Sequence, residues 1–302
     1  MTRHVRIATR RSRLALWQAE HVAARLAECH PGLVVSLVPI VTEGDRIQDR
    51  SLAASGGKGL FIKELENALQ EGRADIAVHS MKDMPAALAA GFAIAAALER
   101  GDARDAFVSP RYESLDTLPA GARIGTSSLR RQCQLRHRRP DLEVVVMRGN
   151  VDTRIAKLDA GACDATVLAV AGLERLGLES RIRARLAPND MLPAIGQGIV
   201  GVECLAERDD IVTIVRPLEH DPTRSVLAAE RALAAKIGAS CQSPIAGYAT
   251  LNGETLRLDG LVGSPDGRSI IVDSVSGAVR DATEIGAKLA ERLLAAGAGD
   301  FL

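Results

Sequence analysis

Three groups of residues in this sequence have types and positions that could do chemistry. The first is the segment His79-Ser80-Met81-Lys82-Asp83-Met84-Pro85, where an apolar strand runs straight into a Lys–Asp pair and Pro85 blocks a simple continuation. A carboxylate at a strand end can exchange protons with a ligand or stabilise a developing positive charge. Lys82 beside it favours the ionised form of Asp83. A turn-forming Asp ahead of a proline produces the same pattern without any chemistry. His79 reads as a hydrogen-bonded structural histidine, because no second ligand lies at metal-binding spacing.

The second group is arginine. Only six of the 38 basic residues are lysine (58, 63, 82, 157, 236, 288). Base composition alone could produce that ratio, so position must decide. Arg10 and Arg11 end a strand beside Ser12, Arg130 and Arg131 follow Ser127 and Ser128 at a helix start, Arg148 precedes Gly149-Asn150, and Arg154 opens the next helix. Open α/β sheets bind ligands at strand C-termini and helix N-termini, where the helix dipole favours anions. Guanidinium forks grip carboxylates in pairs. Such a set implies a ligand with several carboxylates or phosphates. Solvated arginines paired with surface acids are the plainer alternative.

The third group is cysteine. The five (29, 133, 163, 204, 241) are scattered and lack CxxC spacing, which fits a reducing compartment and indicates neither a disulfide framework nor a zinc site. Cys241 lies in a loop of small residues, but the residues alone do not rank it above Cys133 or Cys204. Two familiar motifs fail. Gly57-Lys58 lacks the first glycine and the Ser/Thr of a P-loop. Gly196-Gln197-Gly198-Ile199-Val200-Gly201 matches GxGxxG but leads into Val202-Glu203-Cys204-Leu205, which reads as a strand where the dinucleotide fingerprint needs a helix. A hinge is expected there instead.

The elements that must position these groups alternate. His4–Thr9 reads as a strand. Ser12 caps a helix carrying Leu14, Trp17, Val22 and Leu26 and ending at Pro31-Gly32. Val34–Val41 is a strand, Gly56–Gly59 a flexible loop, Leu60–Glu71 a helix and Asp75–Ser80 a strand. Continuous apolar strands between helices predict mostly parallel sheets covered on both faces. The order then returns: Ile7–Ser12 resembles Ile124–Ser128, Val34–Val41 resembles Glu143–Met147, and Asp75–Ser80 resembles Asp164–Ala169. Two similar α/β domains facing each other are expected. Beyond Arg216-Pro217 the composition changes to an Ala-rich helix (Arg224–Gly238), alternating strands over 244–275 with turns at Asn252-Gly253 and Pro265-Asp266-Gly267, and a last helix from about Ala282 to Ala296.

The whole chain of 302 residues exceeds the usual size of one core, so two or three domains are expected. With 47% hydrophobic and only 2% aromatic residues, the core is aliphatic and stacking platforms for nucleic acid are absent. The formal net charge of +0 points to neither nucleic acid nor a membrane surface. No apolar leader or spanning run occurs, so a cytoplasmic protein is expected, and a monomer, since no long exposed apolar face stands out.

Several long segments together resemble the porphobilinogen deaminase family. They are Lys58–Glu66, Ala74–Pro85, Gly125–Arg131, Arg148–Arg154, Leu168–Arg175, Pro193–Gly198 and Cys241-Gln242-Ser243-Pro244, and they cover nearly the whole chain. The resemblance implies two α/β domains like those of periplasmic binding proteins (1–98 with 199–216, and 104–192) and a small α+β domain (221–302). It implies a transferase that joins four porphobilinogen molecules head to tail with loss of ammonia, on a dipyrromethane cofactor held covalently by Cys241, giving hydroxymethylbilane. By the same resemblance Asp83 is the catalytic carboxylate, and Lys82, Asp83, Ser128, Arg130 and Arg131 hold the cofactor. Arg10, Ser12, Arg148, Arg154 and Arg175 hold substrate carboxylates, and Lys58 belongs to a mobile 42–59 loop.

Physical chemistry agrees with those roles. Loss of ammonia leaves a cation spread onto the pyrrole nitrogen, which a nearby carboxylate stabilises. Each added ring brings two carboxylates, which arginine forks suit. Ala54, Arg13, Asp152 and Ser240 depart from the residues expected at their positions, and none touches Asp83, Cys241 or the main arginines. A non-catalytic anion-binding protein and a dinucleotide-dependent enzyme are the rival readings.

Overall fold

The computed structural model describes residues 4–42, 62–238 and 243–302. Its contacts divide into two units, Met1–Arg100 with Ile199–Arg224 and Gly101–Gly198 with Ser225–Leu302. The chain opens with β1 (His4–Arg10), α1 (Arg13–Cys29), β2 (Val34–Ile40), α2 (Lys63–Gln70), β3 (Ile76–Ser80) and β4 (Phe92–Ala97). The second unit follows with β5 (Asp105–Val108), β6 (Arg123–Gly125), α3 (Leu129–Arg138), β7 (Glu143–Val145), α4 (Val151–Asp159), β8 (Ala165–Ala169), α5 (Val170–Arg175) and β9 (Ala184–Leu186). The chain then returns to the first unit through β10 (Val200–Leu205) and α6 (Asp209–Val215). It ends with α7 (Asp221–Ile237), β11 (Ile245–Asn252), β12 (Thr255–Gly263), β13 (Ile270–Ala278) and α8 (Ala282–Ala295).

In the first unit the strand order is β2-β1-β3-β10-β4, with β1 parallel to β2 and β3, and β10 antiparallel to β3 and β4. Successive residues serve opposite faces. Ile7 and Ile76 join α1 residues Ala19, Val22 and Leu26 in one core, while Ala8 and Ala77 join α2 residues Leu65, Ala68 and Leu69 in another. Pro39 is tolerated because β2 is an edge strand.

The second unit repeats this plan as β7-β6-β8-β5-β9, with β6 parallel to β7 and β8, and β5 antiparallel to β8 and β9. The paired segments noticed in the sequence occupy matching places, β1 with β6, β2 with β7 and β3 with β8. The expectation of mostly parallel sheets holds, with one strand in each, β10 or β5, running against the other four. Short chain crossings between the units deliver β5 and β10 pointing the other way, and sequence periodicity does not report strand direction.

The second unit also carries an antiparallel sheet, β11-β12-β13. It packs on α7 and α8 through Leu233, Leu256, Leu258, Ile285, Leu289 and Leu293. Its first hairpin turns on Gly253 at φ +57, where Asn252 pairs with Thr255. Helix α7 starts three residues before the expected Arg224, and β13 runs three residues past 275. The fold is thus α/β, with two mixed five-stranded sheets and a small C-terminal α+β part.

Candidate active site

Because β1 and β3 run parallel side by side, their C-terminal ends meet at one edge of the first sheet. Arg10 is the last residue of β1, and Ser12 caps α1, its Oγ accepting from the Ala15 N–H at 3.3 Å. After Ser80 the chain makes one 3-10 turn, Met81–Asp83, anchored by Met81, which is 2% exposed. Lys82 is half-buried and Asp83 is exposed. A pocket here is lined by Arg10, Ser12, Gln18, His79, Ser80 and Asp83, with Leu14, Ala15, Ile62 and Val78. Inside it the buried Gln18 donates from Nε2 to Ser80 Oγ at 2.7 Å. His79 lies 2.9 Å from the buried Glu203 carboxylate of β10, which makes it the structural histidine its surroundings suggested.

The matching edge of the second unit's first sheet is built differently. Ser128 sits at the N-cap of α3 without a side-chain capping bond. The next two guanidinium groups turn inward. Arg130 Nη2 and Arg131 Nη2 each take one oxygen of Asp105, at 2.8 and 2.7 Å. Arg130 also donates to the Leu192 carbonyl at 2.5 Å, and Arg131 to the Val167 carbonyl at 3.0 Å. Asp105 is fully buried on β5, and the two arginines are 4% and 5% exposed. Burial alone would raise the Asp105 carboxyl, but the two guanidinium charges outweigh it and hold it well below the usual carboxylate range. Burial and the like charge of Arg131 lower Arg130.

Arg175, at the end of α5, donates to the Gly198 carbonyl at 2.6 Å. Burial brings it down to about 10 against the opposing charge of Glu174, so it stays cationic at neutral pH. Arg148 follows β7, and Arg154 lies in the first turns of α4, bonded through Nε to the Gly149 carbonyl at 2.8 Å. Asn150 caps α4, its Oδ1 accepting from the Thr153 N–H at 2.9 Å.

Residues 5–213 match the family description "Porphobilinogen deaminase, dipyromethane cofactor binding domain", and residues 225–295 match "Porphobilinogen deaminase, C-terminal domain". A curated porphobilinogen deaminase from Chromobacterium violaceum is 54% identical over 292 residues, covering 97% of this chain and 94% of that protein. The chain belongs to the porphobilinogen deaminase family. It is a transferase of tetrapyrrole biosynthesis that polymerises porphobilinogen and uses a dipyrromethane cofactor.

Among solved structures it is similar to the BvgS VFT2 domain of Bordetella pertussis, with 15% identity, 74% of this chain and 91% of that chain covered, and a TM-score of 0.43. It is also similar to the periplasmic aliphatic sulphonate binding protein SsuA of Escherichia coli, with 12% identity, coverages of 78% and 70%, and a TM-score of 0.43. At those scores the likeness carries no functional implication.

The residues present fit a dipyrromethane of this family. Two buried guanidinium groups share one carboxylate, so the group keeps a positive charge. Among the described residues, Nε of Arg130 and Nε of Arg131 are buried and have no hydrogen-bond partner. A ligand bearing several carboxylates would complete that arrangement. No cluster of metal-ligating side chains occurs among the described residues, and no described helix is long and apolar enough to cross a membrane.

Cys241, Lys58 and nearly all of the 42–59 loop lie outside the described residues. Of the other cysteines, Cys133 and Cys204 are buried, and burial pushes both thiols up to about 11, which removes them as reactive nucleophiles. Burial raises Cys163 as well. Sequence reasoning missed Asp105 and Gln18. An acid opening the otherwise apolar Asp105-Ala106-Phe107-Val108 was the available signal for the first; nothing distinguished Gln18 from an ordinary polar helix residue.

Proposed function

We propose that Asp83 is the catalytic carboxylate of the family reaction and that Arg10 and Ser12 hold substrate carboxylates beside it. The observation that carries this reading is the pocket at the end of β1 and β3. It gathers a guanidinium, a hydroxyl and an exposed carboxylate on one sheet edge. Departure of ammonia from the aminomethyl group of porphobilinogen leaves positive charge on the pyrrole N–H. An ionised Asp83 stabilises that charge and can accept the proton released on coupling.

In the same reading Ser128, Arg130, Arg131 and Lys82 hold the dipyrromethane, while Arg148, Arg154 and Arg175 neutralise the carboxylates of the lengthening product. The dipyrromethane supplies the pyrrole to which the first substrate is joined. By the family resemblance Cys241 is its attachment point, and burial that pushes up the Cys133, Cys163 and Cys204 thiols supports that choice over those three. Lys58, outside the described residues, is assigned to substrate binding by the family resemblance. The division into 1–98 with 199–216, 104–192 and 221–302, a monomeric state and a cytoplasmic location belong to this proposal.

Two measurements test it. Intact mass of the purified protein should exceed the chain mass by one dipyrromethane, with the increment on the Cys241 peptide; an unmodified Cys241 sinks the attachment. Asp83→Asn should keep the fold and most substrate binding but lose turnover by about 100-fold or more, as when a group aimed at transition-state charge is removed. Near-normal turnover in that variant removes Asp83 from the role.

A further inference from the structure

The Gly196-Gln197-Gly198 turn has the spacing of a dinucleotide fingerprint but leads into strand β10. We propose that Gln197 is a positioning residue for the arginine set, acting through Asp105. Its Nε2 donates to Asp105 Oδ1 at 2.9 Å and to the Ala103 carbonyl at 2.7 Å. The same Oδ1 receives Arg131, and the other oxygen receives Arg130. The glutamine thereby fixes the rotation of the carboxylate so that each oxygen takes one guanidinium. Without that donor, Asp105 can swing and present both oxygens to a single arginine.

The flanking glycines allow this. Gly196 at φ +70 and Gly198 at φ +88 are left-handed, which turns a side chain at 197 into the interior, where it is 1% exposed. The turn is itself held. The Gly196 N–H donates to the buried Glu230 carboxylate at 2.6 Å, and the Gly198 carbonyl accepts from the Gly101 N–H at 3.2 Å. That carbonyl is also the acceptor of Arg175. One tripeptide therefore orients three of the arginines assigned to carboxylate binding.

This inference rests on the proposed roles of Arg130, Arg131 and Arg175. Arginines that hold carboxylates equally in ground and transition states affect KM more than kcat. Of the three, only Arg175 is assigned to substrate, so Gln197→Leu should raise KM for porphobilinogen up to about tenfold through the turn that holds Arg175, while kcat per cofactor-loaded enzyme changes by less than about threefold. Intact mass should show a smaller cofactor-loaded fraction than in the wild type. Asp105→Asn should produce the same defect, and the double variant Gln197→Leu with Asp105→Asn should be no worse than Asp105→Asn alone.

Wild-type KM and full loading in Gln197→Leu overturn the positioning role, and so do additive effects in the double variant. Gln197→Met serves as a second variant with a flexible apolar side chain. Failure of both to yield folded protein makes Gln197 a determinant of folding and overturns the proposal equally. A wild type without any added mass strikes at the function reading instead, and so separates the two failures.

Discussion

The two five-stranded sheets share one topology and place candidate residues at equivalent edges, yet they treat charge in opposite ways. At the end of β1 and β3, Asp83 stands exposed on a single 3-10 turn, with Arg10 half-buried beside the pocket. At the matching edge of the second unit, Arg130 and Arg131 are almost fully buried around Asp105. A desolvated guanidinium held by fixed partners keeps its direction and gains strength in low dielectric, which suits an anion that stays bound. An exposed carboxylate on a short turn is within reach of solvent and of a ligand that comes and goes. The same scaffold thus holds two buried guanidinium groups around one carboxylate in one unit and an exposed carboxylate in the other.

The sharpest way to break that contrast is Asp105→Asn. Removing one partner of a buried ionic group leaves charge uncompensated and typically costs about 3–5 kcal/mol. Here two guanidinium groups share the lost carboxylate. Urea unfolding should show that loss together with a marked fall in bound cofactor. A loss below about 1 kcal/mol would mean that water reaches the arginines and that their surroundings are not dry.

A smaller effect tests the other edge, where buried Met81 anchors the turn that carries Asp83. Gly201 of β10 lies directly under the side chain of Met81, and a Cβ built there overlaps the Met81 sulfur. Met81 is buried and has little room to move, so Gly201→Ala should cost about 1–3 kcal/mol as overpacking does. It should also displace the turn carrying Asp83. Turnover should fall more than KM rises; unchanged turnover with the expected loss of stability would show that the turn is anchored elsewhere.

Much of this was legible beforehand, for identifiable reasons. Short apolar runs separated by amphipathic helices announced the α/β units, and the repeat of hydroxyl-rich strand ends announced their kinship. The direction of β5 and β10 was not legible, because a buried strand has the same composition either way. The arginines after Ser128 stood out at a helix start as candidate ligand contacts, but their inward turn onto Asp105 was not legible. It depends on Asp105, which is 25 and 26 residues away in sequence. Gln197 was hidden for a similar reason, since its partner lies 92 residues off and the surrounding glycines suggested a different motif. Local pattern reports on faces and caps; long-range polar partners must be seen in place.

The smallest effect is a control on the surface of the first unit. Asp210 lies in the first turn of α6 and pairs with Arg208 at 2.8 Å, with the Arg208 side chain 36% and the Asp210 side chain 63% exposed. The Arg208 hydrogen bond and charge, against a slight effect of burial, lower the Asp210 carboxyl to about 2. Its unfolded value is near 3.9, so its contribution to stability is present above about pH 4 and fades as pH falls through about 2. Exposed pairs are screened, so Asp210→Asn should cost less than about 1 kcal/mol at neutral pH. The difference from wild type should stay level from pH 7 down to about 4 and close below that in urea titrations at low salt. A cost matching that of Asp105→Asn would mean that burial does not separate the two kinds of carboxylate, and the contrast between buried arginine pair and open turn would lose its physical basis.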